Sequence, residues 1–373
     1  MNPFLQFPRI HFEYGAIAAL AEELAVLGVT RPLIVTDRNL VACGIFAKVR
    51  DALAGAASHA LCDEIPENPT IAGVERAVEI YRGQHCDGVV ALGGGSVIDS
   101  AKAVAVVARQ GQPVAHYLGH PERIAPAVAP LVAIPTTAGT GSEASRGAGI
   151  HPDAKSRGMS LGSVHIVPKA AICDPELTMT LPPRLTAGTG MDALSHCVEG
   201  YLANPVNPAA DAVALDGVRL VARHIERAVQ DGKDREARWH LMMAALEGGM
   251  TLSSKGAGPA HAIANCVGDR GFHHGTLVTI ALPAVLRTLE PHARDKMRLL
   301  ADAVGAKPGK TAADEIEAMN RKLGIPPHLR ALGYEPGDLD EMAADCAASH
   351  FNVRCAYRPS HADFRAMLQD ALG

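Results

Sequence analysis

Residues 88–102 read GVVALGGGSVIDSAK. Positions 88–92 form a short, apolar run, Gly93-Gly94-Gly95-Ser96 interrupts it, and residues 97–110 continue with the apolar spacing of a helix. A strand that turns through glycines into a helix leaves bare backbone N–H groups and the positive end of the helix facing one space, a geometry that holds a diphosphate. Glycines also serve tight turns with no ligand, so the surrounding pattern has to support the reading. It does: RPLIVTD (31–37) precedes the helical stretch FAKVRDALAG (46–55), and LVAIPTT (131–137) precedes another glycine-rich turn. These strands are apolar throughout instead of alternating, as expected of a parallel sheet covered on both faces. Residues 1–180 are therefore expected to form an α/β dinucleotide-binding domain.

Two further features bear on the nucleotide. Residues 135–142, PTTAGTGS, end a strand with hydroxyls and glycines suited to a nicotinamide amide, ribose or phosphate; Thr136, Thr137 and Thr140 are the candidates. Asp37 closes the VTD strand end, where a carboxylate accepts from ribose hydroxyls and repels a 2′-phosphate, favouring NAD over NADP. An ordinary turn role for Asp37 is the alternative.

Beyond residue 181 strand signals fade and Ala-, Leu- and charge-rich helical patterns run to residue 373, so residues 181–373 are expected to form an all-α domain. Within it, Asp192 and His196 in GMDALSHCVEG are an i, i+4 pair on one helix face. His261 in GPAHAIANCVGD and His274 in FHHGTL have room between them for the chain to turn back toward that pair. One carboxylate and three imidazoles suit Fe2+ or Zn2+, with no thiolate to favour zinc. Any one of these histidines alone would more often be a hydrogen-bonded core residue; the set, in glycine-rich and weakly charged segments, is what points to a metal. His273, adjacent to His274, reads as a supporting residue.

The 373 residues suffice for two cores, and a formal charge of −5 without a basic stripe argues against nucleic acid or an anionic membrane as partner. A small-molecule substrate remains. The opening MNPFLQFPRIHFEYG lacks the pattern of a secretory leader, and no run approaches a membrane span, so a cytoplasmic protein is expected. Eight scattered cysteines without CxxC pairs read as free thiols.

With these motifs placed, the chain resembles the iron-dependent, or group III, alcohol dehydrogenases. VTDRNL, ENPT, GGGSVIDSAK, IPTTAGTGSE, DPELT, GMDALSHCVE and HHG occur in family order along essentially the whole length. The resemblance implies a metal on Asp192, His196, His261 and His274, the diphosphate of NAD on Gly94, Gly95 and Ser96 beside Gly93, and nicotinamide and ribose contacts from Thr136, Thr137 and Thr140. It implies oxidation of an alcohol to an aldehyde with hydride passing to NAD, the divalent ion acidifying the alcohol. A homodimer or higher homo-oligomer is expected.

Three positions depart from the family pattern. Asn265 stands four residues after His261, where the family has a second histidine, so the proton must leave by water, a ribose hydroxyl or another group such as His350. Gly158 stands where a lysine is usual, with Lys155 and Arg157 as neighbours. Cys355-Ala356-Tyr357 replaces an Asn-Pro-Arg. Lys255, His350 and Arg354 are polar or cationic near segments expected to line the substrate side, and the layout of KGAGPAH and HHGTL resembles the 4-hydroxybutyrate dehydrogenase branch. An ω-hydroxy acid and its semialdehyde are the expected substrates, unless these cations pair with local acids. The alternatives are a general aliphatic alcohol or diol dehydrogenase and, from another reaction class, a dehydroquinate-synthase-like lyase, which would need a more basic pocket.

Overall fold

A computed structural model describes residues 7–53, 58–153, 156–268, 272–335, 337 and 339–373. The chain forms two compact units, one comprising Phe7–Thr137 with Gly141–Met179, the other Ala138–Thr140 with Thr180–Gly373. No helix among the described residues is long and apolar enough to cross a membrane.

The first unit is built on strands β1 (Arg9–Phe12), β2 (Pro32–Val35), β3 (Ala60–Cys62), β4 (Gly88–Gly93), β5 (Leu131–Pro135) and β8 (Ala170–Cys173), with α1 (Leu20–Val26), α2 (Arg38–Ala42), α3 (Ile45–Ala52), α4 (Ile71–Gly83) and α5 (Gly95–Gln110) between them. The sheet order is β1-β8-β5-β4-β2-β3 and every pairing is parallel. Successive residues of each strand enter opposite cores: Leu33, Val35, Val89 and Ala91 pack on the face of α4 and α5, while Ile34, Val90 and Leu92 pack with α1 and α3. That two-sided burial is why these strands carry no polar alternation. β2 and β4 are neighbours whose connections run to opposite sides of the sheet, so their carboxyl ends, leading into Asp37 and into Gly93-Gly94-Gly95-Ser96, flank the switch point where such sheets bind ligands.

An antiparallel hairpin, β6 (Gly147–Ile150) with β7 (Met159–Gly162), is an addition that apolar runs do not reveal, because each strand has only four residues, of which β6 buries two and β7 one. It is tied to α5. Lys102, fully buried, donates to Ser142 Oγ (2.8 Å), Ser145 Oγ (3.1 Å) and the Gly147 carbonyl (2.6 Å), while Asp99 accepts from Ser142 Oγ (2.5 Å) and the Gly149 N–H (2.8 Å). Burial pulls the Lys102 pKa down to about 8 against Asp99 and Glu143, and pushes Glu143 up to about 7.

The second unit is helical: α6 (Pro183–Leu202), α7 (Pro208–Gln230), α8 (Arg235–Ser254), α9 (Pro259–Val267), α10 (His274–Leu289), α11 (Arg294–Val304), α12 (Ala312–Lys322), α13 (Leu339–Ala348) and α14 (His361–Leu372). From Thr186 to Leu202 every residue of α6 is buried, so it is the axis around which α7, α8 and α10 pack. All eight cysteines are free, and only Cys43 is exposed.

Arg238 on α8 is 1% exposed and fastens the start of α6, donating to Thr186 Oγ1 (2.9 Å), the Leu181 carbonyl (3.1 Å) and the Gly232 carbonyl (3.0 Å). Arg238→Met strands these acceptors in the interior, and we expect a loss of about 3 kcal/mol of stability. Denaturant unfolding checks it; an unchanged midpoint would remove Arg238 from the framework.

Candidate metal centre and cofactor cradle

On α6, Asp192, His196 and Glu199 stand at i, i+4 and i+7 and share one face. Asp192 Oδ1 lies 3.9 Å from His196 Nε2 and 3.8 Å from His261 Nε2, and the ligand atoms of all three residues fall within 4.8 Å of one another. Those separations are too long for hydrogen bonds and near the roughly 3–4 Å between atoms sharing one ion at ~2.1 Å. The His196 and His261 rings stack, centroids 4.6 Å apart. Asp192 Oδ1 and His261 Nε2 are both buried without a hydrogen-bond partner, an arrangement that would be expensive unless a cation were the shared partner. The residues therefore fit a divalent ion.

The electrostatics agree. Burial pushes the Asp192 carboxyl up, but His196, His274, His261 and His273 outweigh it and hold the group below its usual range. Burial lowers His196 against the pull of Asp192. His274, whose ring keeps solvent access, is nevertheless pulled down to about 4 by the protein around it and by the neighbouring imidazoles. His196 and His274 held neutral beside an ionised Asp192 carboxylate are in the protonation states a metal requires.

His274 opens α10, its ring centroid 5.4 Å from that of His261, but its nitrogens stand outside the 4.8 Å group of the other three. The next residue sets how close α10 comes to α6: a side chain at Gly275 would collide with the Gly188 carbonyl and stand 2.9 Å from Asp192 Cβ. His273 precedes the helix with its Nδ1 buried against Gly188.

Glu199 is the residue that sequence reading missed. Its carboxylate accepts from Ala260 N–H (2.6 Å) and Gly258 N–H (3.0 Å) at the start of α9 and meets His261 Nδ1 at 2.5 Å. It thus aims His261 Nε2 at Asp192 and, with Asp192, outweighs the burial that would lower the His261 pKa, leaving it raised. The signal was available in the i+7 spacing from Asp192, but its partner backbone is remote in sequence.

In the α/β unit, Gly93 ends β4 where a side chain would strike Val97, and Gly95 begins α5. A Cβ on Gly94 would press to 3.2 Å on the Thr137 side chain, so a larger residue here would crowd the turn. Ser96 Oγ is already given to the Glu67 carbonyl, leaving its backbone N–H for a ligand. Thr136 is buried, its N–H bonded to the Gly93 carbonyl (3.1 Å). Thr140 falls in the segment that packs with the helical unit. Asp37 Oδ1 caps α2, accepting from the N–H groups of Asn39 (2.8 Å) and Leu40 (3.1 Å), so the turn role is present whatever else the carboxylate does.

The substrate candidates separate. Phe351 lies 5.8 Å from the His261 ring and His350 packs on Phe351 at 4.1 Å, so the segment carrying Arg354 borders the metal cluster. The Arg354 carbonyl accepts from Asn204 N–H (2.7 Å), and its side chain runs over Gly256. Lys255 requires correction: it is fully buried, its ammonium paired with Asp211, with the Tyr201 carbonyl 3.4 Å away. An ammonium committed in this way is not free to receive a substrate carboxylate. Lys155 lies outside the described residues.

A parallel sheet with a glycine turn in one unit and an imidazole–carboxylate cluster in the other are the features of a metal-dependent oxidoreductase. Residues 8–175 match the model of iron-containing alcohol dehydrogenases and residues 186–372 that of the C-terminal part of the Fe-containing alcohol dehydrogenase family. The chain belongs to the iron-containing alcohol dehydrogenase family and interconverts alcohols and aldehydes. It is 41% identical to a 4-hydroxybutyrate dehydrogenase of Cupriavidus necator over 97% of this chain and 98% of that one. Among solved structures it is similar to a 1,3-propanediol oxidoreductase (30% identity, TM-score 0.95, 100% of both chains). It is also similar to a sulfoacetaldehyde reductase from Bifidobacterium kashiwanohense in complex with NAD+ (26% identity, TM-score 0.90, 100% of this chain and 98% of that one).

Glu199→Ala should weaken metal binding about 10–100-fold by freeing the His261 ring and the start of α9, with Glu199→Gln losing less. Titration of the apoprotein with Fe2+ or Zn2+ measures this. Wild-type affinity in Glu199→Ala would show that His261 needs no orienting partner.

Proposed function

We propose that the protein is a metal-dependent, NAD-linked dehydrogenase of an ω-hydroxy acid, interconverting 4-hydroxybutyrate and succinic semialdehyde or a close analogue. The observation that carries this is the full-length similarity to a 4-hydroxybutyrate dehydrogenase. Asp192, His196, His261 and His274 would hold Fe2+, with Zn2+ as the other ion the donor set accepts. When bound, such an ion supplies Lewis acidity to an alcohol or carbonyl oxygen, and NAD supplies the hydride acceptor.

The rest falls to this chain's side chains. Glu199 fixes the direction of His261, and Phe351 gives the cluster an apolar neighbour that keeps bulk water off that ring. Gly94, Gly95 and Ser96 offer backbone N–H groups to the diphosphate, with Thr136, Thr137 and Thr140 for the nicotinamide side and Asp37 for a ribose. Asn265 has no proton to exchange at neutral pH, so proton release falls to water, a ribose hydroxyl or His350. With Lys255 bound to Asp211, Arg354 is the cation left for a substrate carboxylate. A cytoplasmic homo-oligomer belongs to the same reading. A general aliphatic alcohol dehydrogenase is the alternative if Arg354 is incidental.

The test compares 4-hydroxybutyrate with 1-butanol as substrates for the metal-loaded enzyme. Arg354→Met should lower kcat/KM for the acid roughly thirtyfold, about 2 kcal/mol, and leave butanol nearly unchanged. Lys255→Met should lower stability without discriminating between the two. A wild type that favours butanol, or equal losses in Arg354→Met, would leave the general alcohol dehydrogenase.

A further inference from the structure

The hairpin β6–β7 carries a histidine that the catalytic reading does not use. His151 follows β6, and its backbone is stitched into the nucleotide cradle: its N–H donates to the Pro69 carbonyl (2.7 Å) and its carbonyl accepts from Ile71 N–H (2.9 Å). Pro69 belongs to the segment whose Glu67 carbonyl receives Ser96 Oγ from the glycine turn. The ring is half-buried, with Nδ1 2.7 Å from the Ser156 carbonyl. A carbonyl only accepts, so Nδ1 carries the hydrogen and Nε2 of the neutral ring presents a lone pair. That lone pair meets no partner among the described residues.

Gly158 leaves it open. A Cβ there would stand 3.2 Å from Nε2 and 3.3 Å from Cε1, covering the free nitrogen. Gly158 does not have the positive φ that would demand glycine, so backbone conformation does not account for it. The position is the one where the family pattern has a lysine, and here the imidazole occupies the space in which a side chain from residue 158 would begin.

We propose that His151 is a nucleotide-binding residue of this chain, its Nε2 accepting a hydrogen bond from a ribose hydroxyl of NAD(H), with Gly158 as the gap that admits the ring and keeps it uncovered. The inference rests on the reading of the α/β unit as an NAD site. On this proposal His151 and Gly158 act as a pair, the imidazole taking the space that a side chain at position 158 would enter.

The experiment is NADH titration, followed by fluorescence, of metal-loaded wild type, His151→Ala, Gly158→Ala, Gly158→Lys and the double variant His151→Ala/Gly158→Lys, with thermal midpoints measured alongside. His151→Ala and Gly158→Ala should each raise the NADH Kd about tenfold, the loss of one hydrogen bond to a bound ligand, with midpoints near wild type. The double variant should bind within about threefold of wild type and more tightly than His151→Ala, since a lysine ammonium can donate to the same hydroxyl. Unchanged Kd in His151→Ala, or a double variant no better than His151→Ala, overturns the inference. A wild type that fails to bind NADH overturns the nucleotide reading beneath it.

Discussion

The helical unit depends on keeping one ionised carboxylate, Asp192, in the interior of α6. Its Oδ1 has no hydrogen-bond donor, and its pKa is nonetheless depressed because imidazoles surround it. A lone anion in such a place would take up a proton or relocate the helix; shared with His196, His261 and a cation, it becomes the anchor of the site. The demands then propagate outward. Gly275 lets α10 approach α6, and Glu199 couples the direction of His261 to the capping of α9. One buried charge thus dictates features on three helices.

Charge commitment also separates two cations that look alike in sequence. Lys255 and Lys296 share Asp211, and Lys296 also donates to the Tyr201 carbonyl (2.5 Å) while lying 4.7 Å from the centre of that tyrosine ring. Burial lowers the Lys255 pKa in spite of Asp211. Two ammonium groups on one carboxylate form a structural knot, in which moving either leaves the others unbalanced. Among the described residues the Arg354 side chain has no such ion pair, and Phe351 in its segment lies 5.8 Å from the His261 ring. Specificity for a charged substrate needs a cation that is positioned but not spent, which is why the proposed function assigns the substrate carboxylate to Arg354 and not to Lys255.

What the sequence revealed and what it hid follow from the range of the interactions. Strands β2, β4 and β5 were legible because two-sided burial removes polar alternation, a local property; the Asp192–His196 pair was legible because helical spacing is local too. The i+7 position of Glu199 was equally visible, but its purpose lies in contacts with Gly258, Ala260 and His261, about sixty residues on. For Asp37 the turn role is the one observed, since its Oδ1 caps α2, and that cap leaves the other carboxylate oxygen for the proposed ribose contact. Lys255 misled because no sequence pattern marks Asp211, forty-four residues away, as its partner.

The α/β unit solves a different problem with different means. Its cradle uses backbone N–H groups, which every residue has, so selectivity must come from what holds the backbone in place and from the few side chains at the rim. The Lys102–Asp99 network does the holding: it joins α5, which opens at the glycine turn, to Ser142, Gly147 and Gly149, and so fixes the hairpin relative to that turn. Lys102 is fully buried and its ammonium is satisfied by three acceptors, so displacing the hairpin would leave that charge without partners in the interior. Residues that follow on that hairpin are tied to α5 through this network. The proposed pairing of His151 with Gly158 draws on this anchoring, because His151 directly follows and Gly158 directly precedes the register partners Ile150 and Met159 of the hairpin.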